Sequence, residues 1–279
     1  MNMQNLMLFI GDFLVDCALI LAYLIGSIVV AGLILGAFKN LICQYMQYAM
    51  GYTGILITAW IGTPIHELGH AIMCWVFHHK VIEVKLFNPD KESGVLGYVN
   101  HSYDPRSIYQ KIGNFFIGIA PIVGGTLVIT LLMAVMLPTE CHQMVAAIKD
   151  FQWPTDISFD SIMMIKDSII SLFVILFTKE NMKSIVFWIF IYLAISISSH
   201  MALSTADLKG ASSGIGVMYL VIVVVNILVR VLHLNLKKVF VIYYLFNSYF
   251  ITMLIIALFC SLCSLLFSLL LYSIKTSMR

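Results

Sequence analysis

The hydrophobic positions of the chain fall into long runs separated by short polar stretches, and each run approaches the length of a membrane span. A helix needs about 20 consecutive apolar residues to cross the core of a bilayer. The pattern predicts spans at about 17–38, 54–77, 112–137, 184–199, 214–234 and 247–273. The fold class that follows is an all-α polytopic membrane protein with about six transmembrane helices.

Composition supports a membrane protein and narrows the range of partners. Of the 279 residues, 61% are hydrophobic and only 11% are charged, and the mean hydropathy of +0.98 is outside the range of ordinary soluble domains. The formal net charge is +2 and no basic block occurs, so we expect no nucleic-acid partner. The lipid bilayer is the expected environment, in the plasma membrane of a prokaryote. The six cysteines are predicted to be small core residues.

The spans suggest a single membrane-embedded domain over residues 1–279. We place its core at 53–234, with an N-terminal anchor helix at 1–52 and a C-terminal helix at 235–279. No Lys or Arg precedes the first apolar run, so the first segment is expected to stay as an anchor and not to be a cleaved signal.

A stretch with strand character follows the second span. The segment "KVIEVKLF" alternates apolar and polar residues, "NPDKESG" supplies turn residues, and "VLGYVNHSY" resumes with β-branched and aromatic residues. The pattern predicts a small β-hairpin. Its exposed edge could pair with an extended peptide, or the hairpin could simply cover the helix bundle.

The second span contains the polar stretch "PIHELGHAIMC" at residues 64–74. His66 and His70 are four residues apart, so in a helix both imidazoles lie on one face and can bind a single zinc ion. Glu67 lies beside them, placed to stay off the metal and to act on water. Placing ionisable side chains in the middle of a bilayer costs free energy, so their presence there indicates a function. The alternatives are a hydrogen-bonded cluster that holds helices together and an ion or proton pathway.

Two histidines need a third protein ligand, and "SHMALSTADLKGASSG", at 199–214, offers His200 and Asp207. Asp207 is favoured because Gly210 and Gly214 allow another backbone to approach. Alternatively, Asp207 closes a capping box in which Ser204 is the N-cap. His200 could stabilise an oxyanion, position the substrate, replace Asp207 on the metal or simply pack.

The remaining histidines near this site are predicted to have no role in chemistry. His78 and His79 end the second span, where imidazoles suit the helix dipole and the membrane interface. His101 has no companion with metal-ligand spacing and is expected at the surface or interface. A second metal motif is therefore not predicted.

Together these residues resemble the site-2 protease family of intramembrane zinc metalloproteases, over about Thr53 to Gly216. The resemblance rests on "HELGH" in a predicted span, the strand pair after it, "NFFIGIAPIVGG" in the third span and "ADLKGA" before a later one. It implies one Zn²⁺ per chain, with a motif glutamate that activates water and supporting residues near the site. The implied residues are His66, His70 and Asp207 as ligands, Glu67 as the catalytic group, and Asn114 and Pro121 as supports.

The resemblance has departures that make this a divergent, core-only member. In the family the aspartate commonly stands in a proline-containing stretch ending Leu-Asp-Gly, whereas Asp207 stands between Ala206 and Leu208. No loop is long enough to hold an inserted PDZ-like domain.

The expected function is zinc-dependent hydrolysis of a peptide bond within or next to a transmembrane segment of a membrane protein or peptide, as in regulated intramembrane proteolysis. Water would have to reach this site through a polar seam lined by Thr63, His66, His70, His200, Ser204 and Asp207. The alternative functions are a transporter or ion pathway that uses the same groups, and an inactive, protease-like membrane scaffold.

Overall fold

The structure is a computed structural model that describes residues 3–150, 159–232 and 237–278. Its elements in chain order are α1 (Met3–Met50), α2 (Tyr52–Val76), β1 (Lys80–Lys85), β2 (Tyr98–Ser102), α3 (Ile108–Met136), α4 (Pro138–Asp150), α5 (Phe159–Leu176), α6 (Lys179–Lys183), α7 (Ile185–Ser198), α8 (Thr205–Val231) and α9 (Lys237–Ser277). Over these residues the protein is helical, with one small sheet. The predicted boundary between 234 and 235 lies outside the described residues.

Within the described ranges, four helices are long and apolar enough to cross a membrane. They are Ile25–Met50, Ile108–Met136, Thr205–Val229 and Leu245–Ser277. They correspond to the predicted spans at 17–38, 112–137, 214–234 and 247–273, with the first shifted toward the C-terminus. Four such helices indicate a membrane-embedded protein, but they are fewer than the six predicted.

The other two predicted spans form helices that do not meet this standard. The run at 184–199 forms α7, whose 14 residues extend about 21 Å and are shorter than a bilayer core of about 30 Å. The run at 54–77 forms α2, which has 25 residues but carries the polar side chains of Thr63, His66, Glu67 and His70. Helix α7 is therefore too short to cross a membrane, and α2 is not apolar enough.

Helix α3 lies at the centre of the bundle and contacts α2, α7, α8 and α9. The largest buried side chains of this core include Ile122, Ile129, Met133, Phe187, Phe190 and Met253. At the periphery, α1 packs along α9, where the ring centroid of Tyr272 lies 5.1 Å from that of Tyr45 and 4.8 Å from that of Tyr48. The helices therefore surround α3, and residues of α3 can reach several neighbours.

The predicted hairpin is confirmed. Strands β1 and β2 are antiparallel, with Val81 opposite His101 and Lys85 opposite Tyr98, and a register shift lies between Val81 and Glu83. Beyond the strands, the Asn88 N–H donates to the Leu96 carbonyl at 2.8 Å, which extends the pairing toward the turn. β1 is exposed along its whole length, so the sheet is not buried on both faces.

Helix α2 ends in a tight reversal that directs the chain into β1. The His78 N–H donates to the Trp75 carbonyl at 3.1 Å, and the His79 N–H donates to the Cys74 carbonyl at 2.8 Å. This is the Schellman pattern, in which the residue after the helix adopts a left-handed conformation. His78 has that conformation, with φ of 55°. The reversal brings His79 back beside the last turn of α2.

Candidate metal centre

His66, His70 and Asp207 converge on one point, although the first two are in α2 and the third is in α8. The Nε2 atoms of the two histidines are 3.2 Å apart. Asp207 Oδ1 lies 3.3 Å from His70 Nε2, and Asp207 Oδ2 lies 4.0 Å from His66 Nε2. Ligands about 2.0–2.2 Å from a tetrahedral zinc are separated from one another by roughly 3.3–3.6 Å. The three side chains are therefore close enough to hold one metal ion between them.

Two backbone carbonyls orient the imidazoles toward this point. His66 Nδ1 donates to the His200 carbonyl at 2.7 Å, and His70 Nδ1 donates to the Ile117 carbonyl at 2.8 Å. A carbonyl only accepts, so each Nδ1 carries the proton and each Nε2 is left with its lone pair. Metal-binding histidines are commonly held by such an outer hydrogen bond. The arrangement fits a metal without a change of tautomer.

The Ile117 carbonyl is available to His70 because of Pro121. In an α-helix each carbonyl accepts from the N–H four residues later, and proline has no N–H. Pro121 lies inside α3, four residues after Ile117. Its absent N–H leaves the Ile117 carbonyl free to accept from His70. Pro121, implied as a supporting residue, is thus placed where it can support His70, and this spacing from Ile117 was the sequence signal that pattern reasoning missed.

Asp207 belongs both to the capping box of α8 and to the convergent group. The Ser204 N–H donates to Asp207 Oδ2 at 2.7 Å, and the Asp207 N–H donates to Ser204 Oγ at 3.1 Å. These reciprocal bonds form the capping box of α8. The cap fixes the carboxylate and turns it toward the histidines. The two alternatives for this residue are therefore compatible.

The approach of α8 depends on a glycine of α3. A Cβ on Gly118 would lie 2.5 Å from the Asp207 carbonyl oxygen and 2.8 Å from Ala211 Cβ, closer than real contacts permit. Without a side chain at Gly118, the first turn of α8 can pack against α3 and bring Asp207 to the site.

The side chain of His200 is not in the convergent group. Its Nε2 lies 3.1 Å from Thr58 Oγ1, with which it forms a hydrogen bond, while its backbone carbonyl accepts from His66. His200 is buried, at 4% exposure. Its main contact with the site is therefore made through the backbone, and of the two candidate third ligands the structure brings Asp207 to the histidines.

A cavity of about 790 Å³ surrounds the convergent group and includes Glu67. Glu67 is buried, at 7% exposure, although it is a carboxylate. The cavity is also lined by Asn114 and by the predicted seam, which consists of Thr63, His66, His70, His200, Ser204 and Asp207. Thr63 Oγ1 is buried and has no hydrogen-bond partner among the described residues. A polar cavity with such an atom on its wall is suited to water.

The hairpin forms part of the cavity wall, through the residues that lead into β2. Val95, Leu96 and Gly97 line the cavity. A Cβ on Gly97 would lie 3.0 Å from Glu67 Cγ and 2.8 Å from the carbonyl oxygens of Lys85 and Leu86. This contact, which the sequence did not reveal, places the backbone of the hairpin directly against the acidic side chain.

His101 of β2 lines the same cavity and was not expected there. Burial lowers the pKa of His101, and the nearby His79 lowers it further. The ring is therefore favoured in its neutral form. Together with Cys74 and His79 it forms a second cluster of donor atoms at the end of α2.

No protein-family model, curated protein or solved structure matches the chain. The candidate metal centre is therefore supported by its geometry alone.

Proposed function

We propose that the chain is a zinc-dependent intramembrane endopeptidase, a divergent relative of the site-2 proteases. The observation that carries the proposal is the convergence of His66 Nε2, His70 Nε2 and the Asp207 carboxylate beside the buried Glu67. Catalytic zinc sites typically use three protein ligands and leave one position open. Three ligands next to an acid that is not itself a ligand match this requirement.

A zinc ion held by these residues would supply Lewis acidity to polarise the peptide carbonyl and to acidify a water molecule. Glu67 is the general base that takes a proton from the attacking water. It then gives the proton to the amine that leaves as the peptide bond breaks. His66, His70 and Asp207 hold their positions through their outer hydrogen bonds, so the geometry is preorganised.

The cavity supports hydrolysis in preference to a purely structural cluster. A cluster that only held helices together would be expected to satisfy its polar atoms against one another, without enclosing about 790 Å³ beside them. Here the buried Glu67 borders open space, and so does the Thr63 hydroxyl, which has no hydrogen-bond partner in the described part of the chain. Water can occupy that space and reach the carboxylate.

The substrate is proposed to be a membrane-spanning protein or peptide in the cell membrane. A helix must be unwound before its peptide bonds can be attacked, and an extended segment can pair with a strand edge. The backbone at 95–97 runs along the cavity beside Glu67. This segment is the proposed docking edge, which would lay the unwound part of the substrate across the metal centre.

The test compares the purified full-length parent with Glu67→Gln. Zinc per chain is measured by elemental analysis, and cleavage of membrane-spanning peptides is followed by mass spectrometry with and without a chelator. We expect the parent and Glu67→Gln to hold the same amount of zinc, one ion of which is lost in His66→Ala/His70→Ala. We expect cleavage by the parent, and loss of cleavage in the Glu67→Gln variant and in chelator. Glu180→Gln is the matched control. Glu180 lies exposed on α6, so this substitution should change neither zinc content nor cleavage.

Three results would contradict the proposal. A parent that takes up no zinc at His66, His70 and Asp207 would remove the metal centre. Zinc binding without cleavage of any membrane-spanning peptide would favour the protease-like scaffold. Cleavage that persists in Glu67→Gln would remove the assigned role of the acid.

A further inference from the structure

A second cluster of metal-ligating side chains lies at the C-terminal end of α2, one turn beyond His70. Cys74 Sγ and a ring nitrogen from each of His79 and His101 all lie within 4.8 Å of one another. Cys74 is fully buried and His79 is 5% exposed. The three residues belong to α2, to the link that leads into β1, and to β2. None of them is a member of the His66, His70 and Asp207 group, although His101 lines the same cavity.

Two independent features of the fold bring these residues together. The left-handed conformation of His78 reverses the chain, and the His79 N–H bond to the Cys74 carbonyl fixes His79 beside Cys74. The hairpin register then sets His101 opposite Val81, close to the start of β1. As a result, His79 Nδ1 and His101 Nδ1 are 3.0 Å apart.

The ring of His79 is oriented as a metal ligand would be. His79 Nε2 donates to the Gln110 carbonyl at 2.9 Å, so Nδ1 carries the lone pair and faces the cluster. The ring also stacks on Tyr103, with centroids 5.3 Å apart and planes 19° apart. A Cβ on Gly113 would come within 3.0 Å of His79 Nε2, so glycine leaves room for this orientation.

We propose that Cys74, His79 and His101 form a second metal site, which binds a divalent cation of the zinc class. One sulfur and two imidazole nitrogens suit zinc or cobalt and do not suit magnesium or calcium, which prefer oxygen. The thiol of Cys74 releases its proton to solvent as the metal binds, so the ligand is a thiolate. Three protein ligands leave one tetrahedral position for water or for a fourth donor.

The consequence of this site is a link between the hairpin and the helix that carries the first metal centre. His101 lies on β2, and the backbone at 95–97 that leads into β2 runs beside Glu67. Metal binding would fix β2 to the ends of α2 and α3, the latter through the His79 bond to Gln110. The second site would thereby hold the docking edge in register with the cavity. The inference itself rests on the donor geometry and holds whether or not the chain is a protease.

Cobalt offers a test that separates the two sites, because only the second contains a thiolate. Full-length protein is stripped of metal, titrated with Co²⁺ and followed by absorption. We expect a thiolate-to-cobalt charge-transfer band in the parent and in the His66→Ala/His70→Ala double variant. The band should disappear in Cys74→Ser. Zn²⁺ should displace Co²⁺ and abolish the band, and zinc analysis should give two ions per parent chain and one in each variant.

Controls keep the result interpretable if one variant is unstable. Cys43→Ser removes another cysteine that borders the large cavity, and it should keep the band. His101→Ala changes a half-buried strand residue. Loss of an outer-shell partner lowers metal affinity by about 10- to 100-fold, and loss of a ligand at His101 should weaken Co²⁺ binding by more than this. Circular dichroism verifies that each variant is folded.

The proposal would be overturned by a parent without the band, or by a band that survives in Cys74→Ser. It would equally be overturned if His101→Ala bound Co²⁺ as tightly as the parent. In each case the 3.0 Å contact between His79 and His101 would be a hydrogen bond between two neutral rings.

Discussion

Asp207 Oδ1 lies 3.3 Å from His70 Nε2, while Oδ2 of the same carboxylate accepts from the Ser204 N–H at 2.7 Å. One side chain thus closes the capping box of α8 and joins the candidate metal centre carried by α2. The capping bonds hold the carboxylate in place before any metal binds. Because the two roles use different atoms and different partners, they can be separated by substitution.

Asp207→Asn should weaken zinc binding more than it weakens the helix. The amide oxygen can still accept from Ser204, but the negative charge of the ligand is lost. We expect zinc affinity to fall by more than about 100-fold, beyond the range for loss of an outer-shell partner. Ser204→Ala should do the reverse, with one zinc retained and stability lower by about 1 kcal/mol. Chelator competition and thermal unfolding measure the two effects, and equal zinc affinity in Asp207→Asn and the parent would exclude this ligand.

His200→Ala should leave zinc bound. The substitution removes the imidazole and its bond to Thr58, but it keeps the carbonyl that accepts from His66. We expect zinc to stay bound at the His66, His70 and Asp207 site, with less than about a tenfold loss of zinc affinity. The reason is that the hydrogen bond from His66 to the His200 carbonyl remains. Chelator competition on the same preparation as Asp207→Asn gives the comparison. Complete loss of zinc in a folded His200→Ala protein would instead place the imidazole on the metal.

The parts of the site set by local spacing could be predicted from sequence. His66 and His70 share a helix face because they are four residues apart, and Ser204 and Asp207 form a capping box because they are three apart. The alternation at 80–103 was enough to predict the hairpin. Each of these features depends on neighbours within a turn or a strand, so the local pattern contains the information.

The meeting of distant elements was less predictable. Asp207 approaches the histidines because Gly118 lets α8 pack closely on α3, and no local pattern marks that glycine as the contact point. The position of His101 beside His79 was missed for a different reason. The predicted hairpin already implied that its second strand returns to the end of α2, where His79 lies. However, His79 turns back toward Cys74 only through the left-handed His78, which pattern reasoning does not anticipate.

Gly97→Ala should reduce peptide cleavage without removing zinc. The new Cβ would lie 2.8 Å from two backbone carbonyl oxygens and 3.0 Å from Glu67 Cγ, so the hairpin backbone must shift away from the acid. The proposed docking edge would then lose its register with the metal centre. Zinc analysis and peptide cleavage on one preparation separate the two readouts. Gly216→Ala is the matched control, because its Cβ would meet no atom within 4 Å.

If cleavage by Gly97→Ala equals that of the parent, the 95–97 backbone does not position the substrate. A loss of zinc together with cleavage would also contradict the prediction, because it would show that the hairpin shift reaches the ligands themselves.

Pro121→Ala should weaken metal binding while leaving the protein at least as stable. In the parent, the Ile117 carbonyl accepts from His70 at 2.8 Å. Alanine at position 121 restores an N–H inside α3, and that N–H would donate to the Ile117 carbonyl instead. The helix gains from removal of an interior proline, whereas His70 loses its orienting acceptor. We expect zinc affinity to fall by about 10- to 100-fold, as is typical when an outer-shell partner is lost. The unfolding temperature should be unchanged or higher.

Ile117→Ala is the control, because it shortens the side chain but keeps both the carbonyl and the proline that frees it. Because Ile117 is 5% exposed, the shortened side chain should lower stability by about 2–5 kcal/mol, and the variant should retain the parent's zinc affinity. Pro121→Ala should thus lose zinc affinity and keep its stability, whereas Ile117→Ala should keep its zinc affinity and lose stability. This pair of results would show that the destabilising Pro121 serves the metal centre, because it leaves the Ile117 carbonyl free to accept from His70. If Pro121→Ala binds zinc as tightly as the parent, the Ile117 carbonyl is not what holds His70 in place.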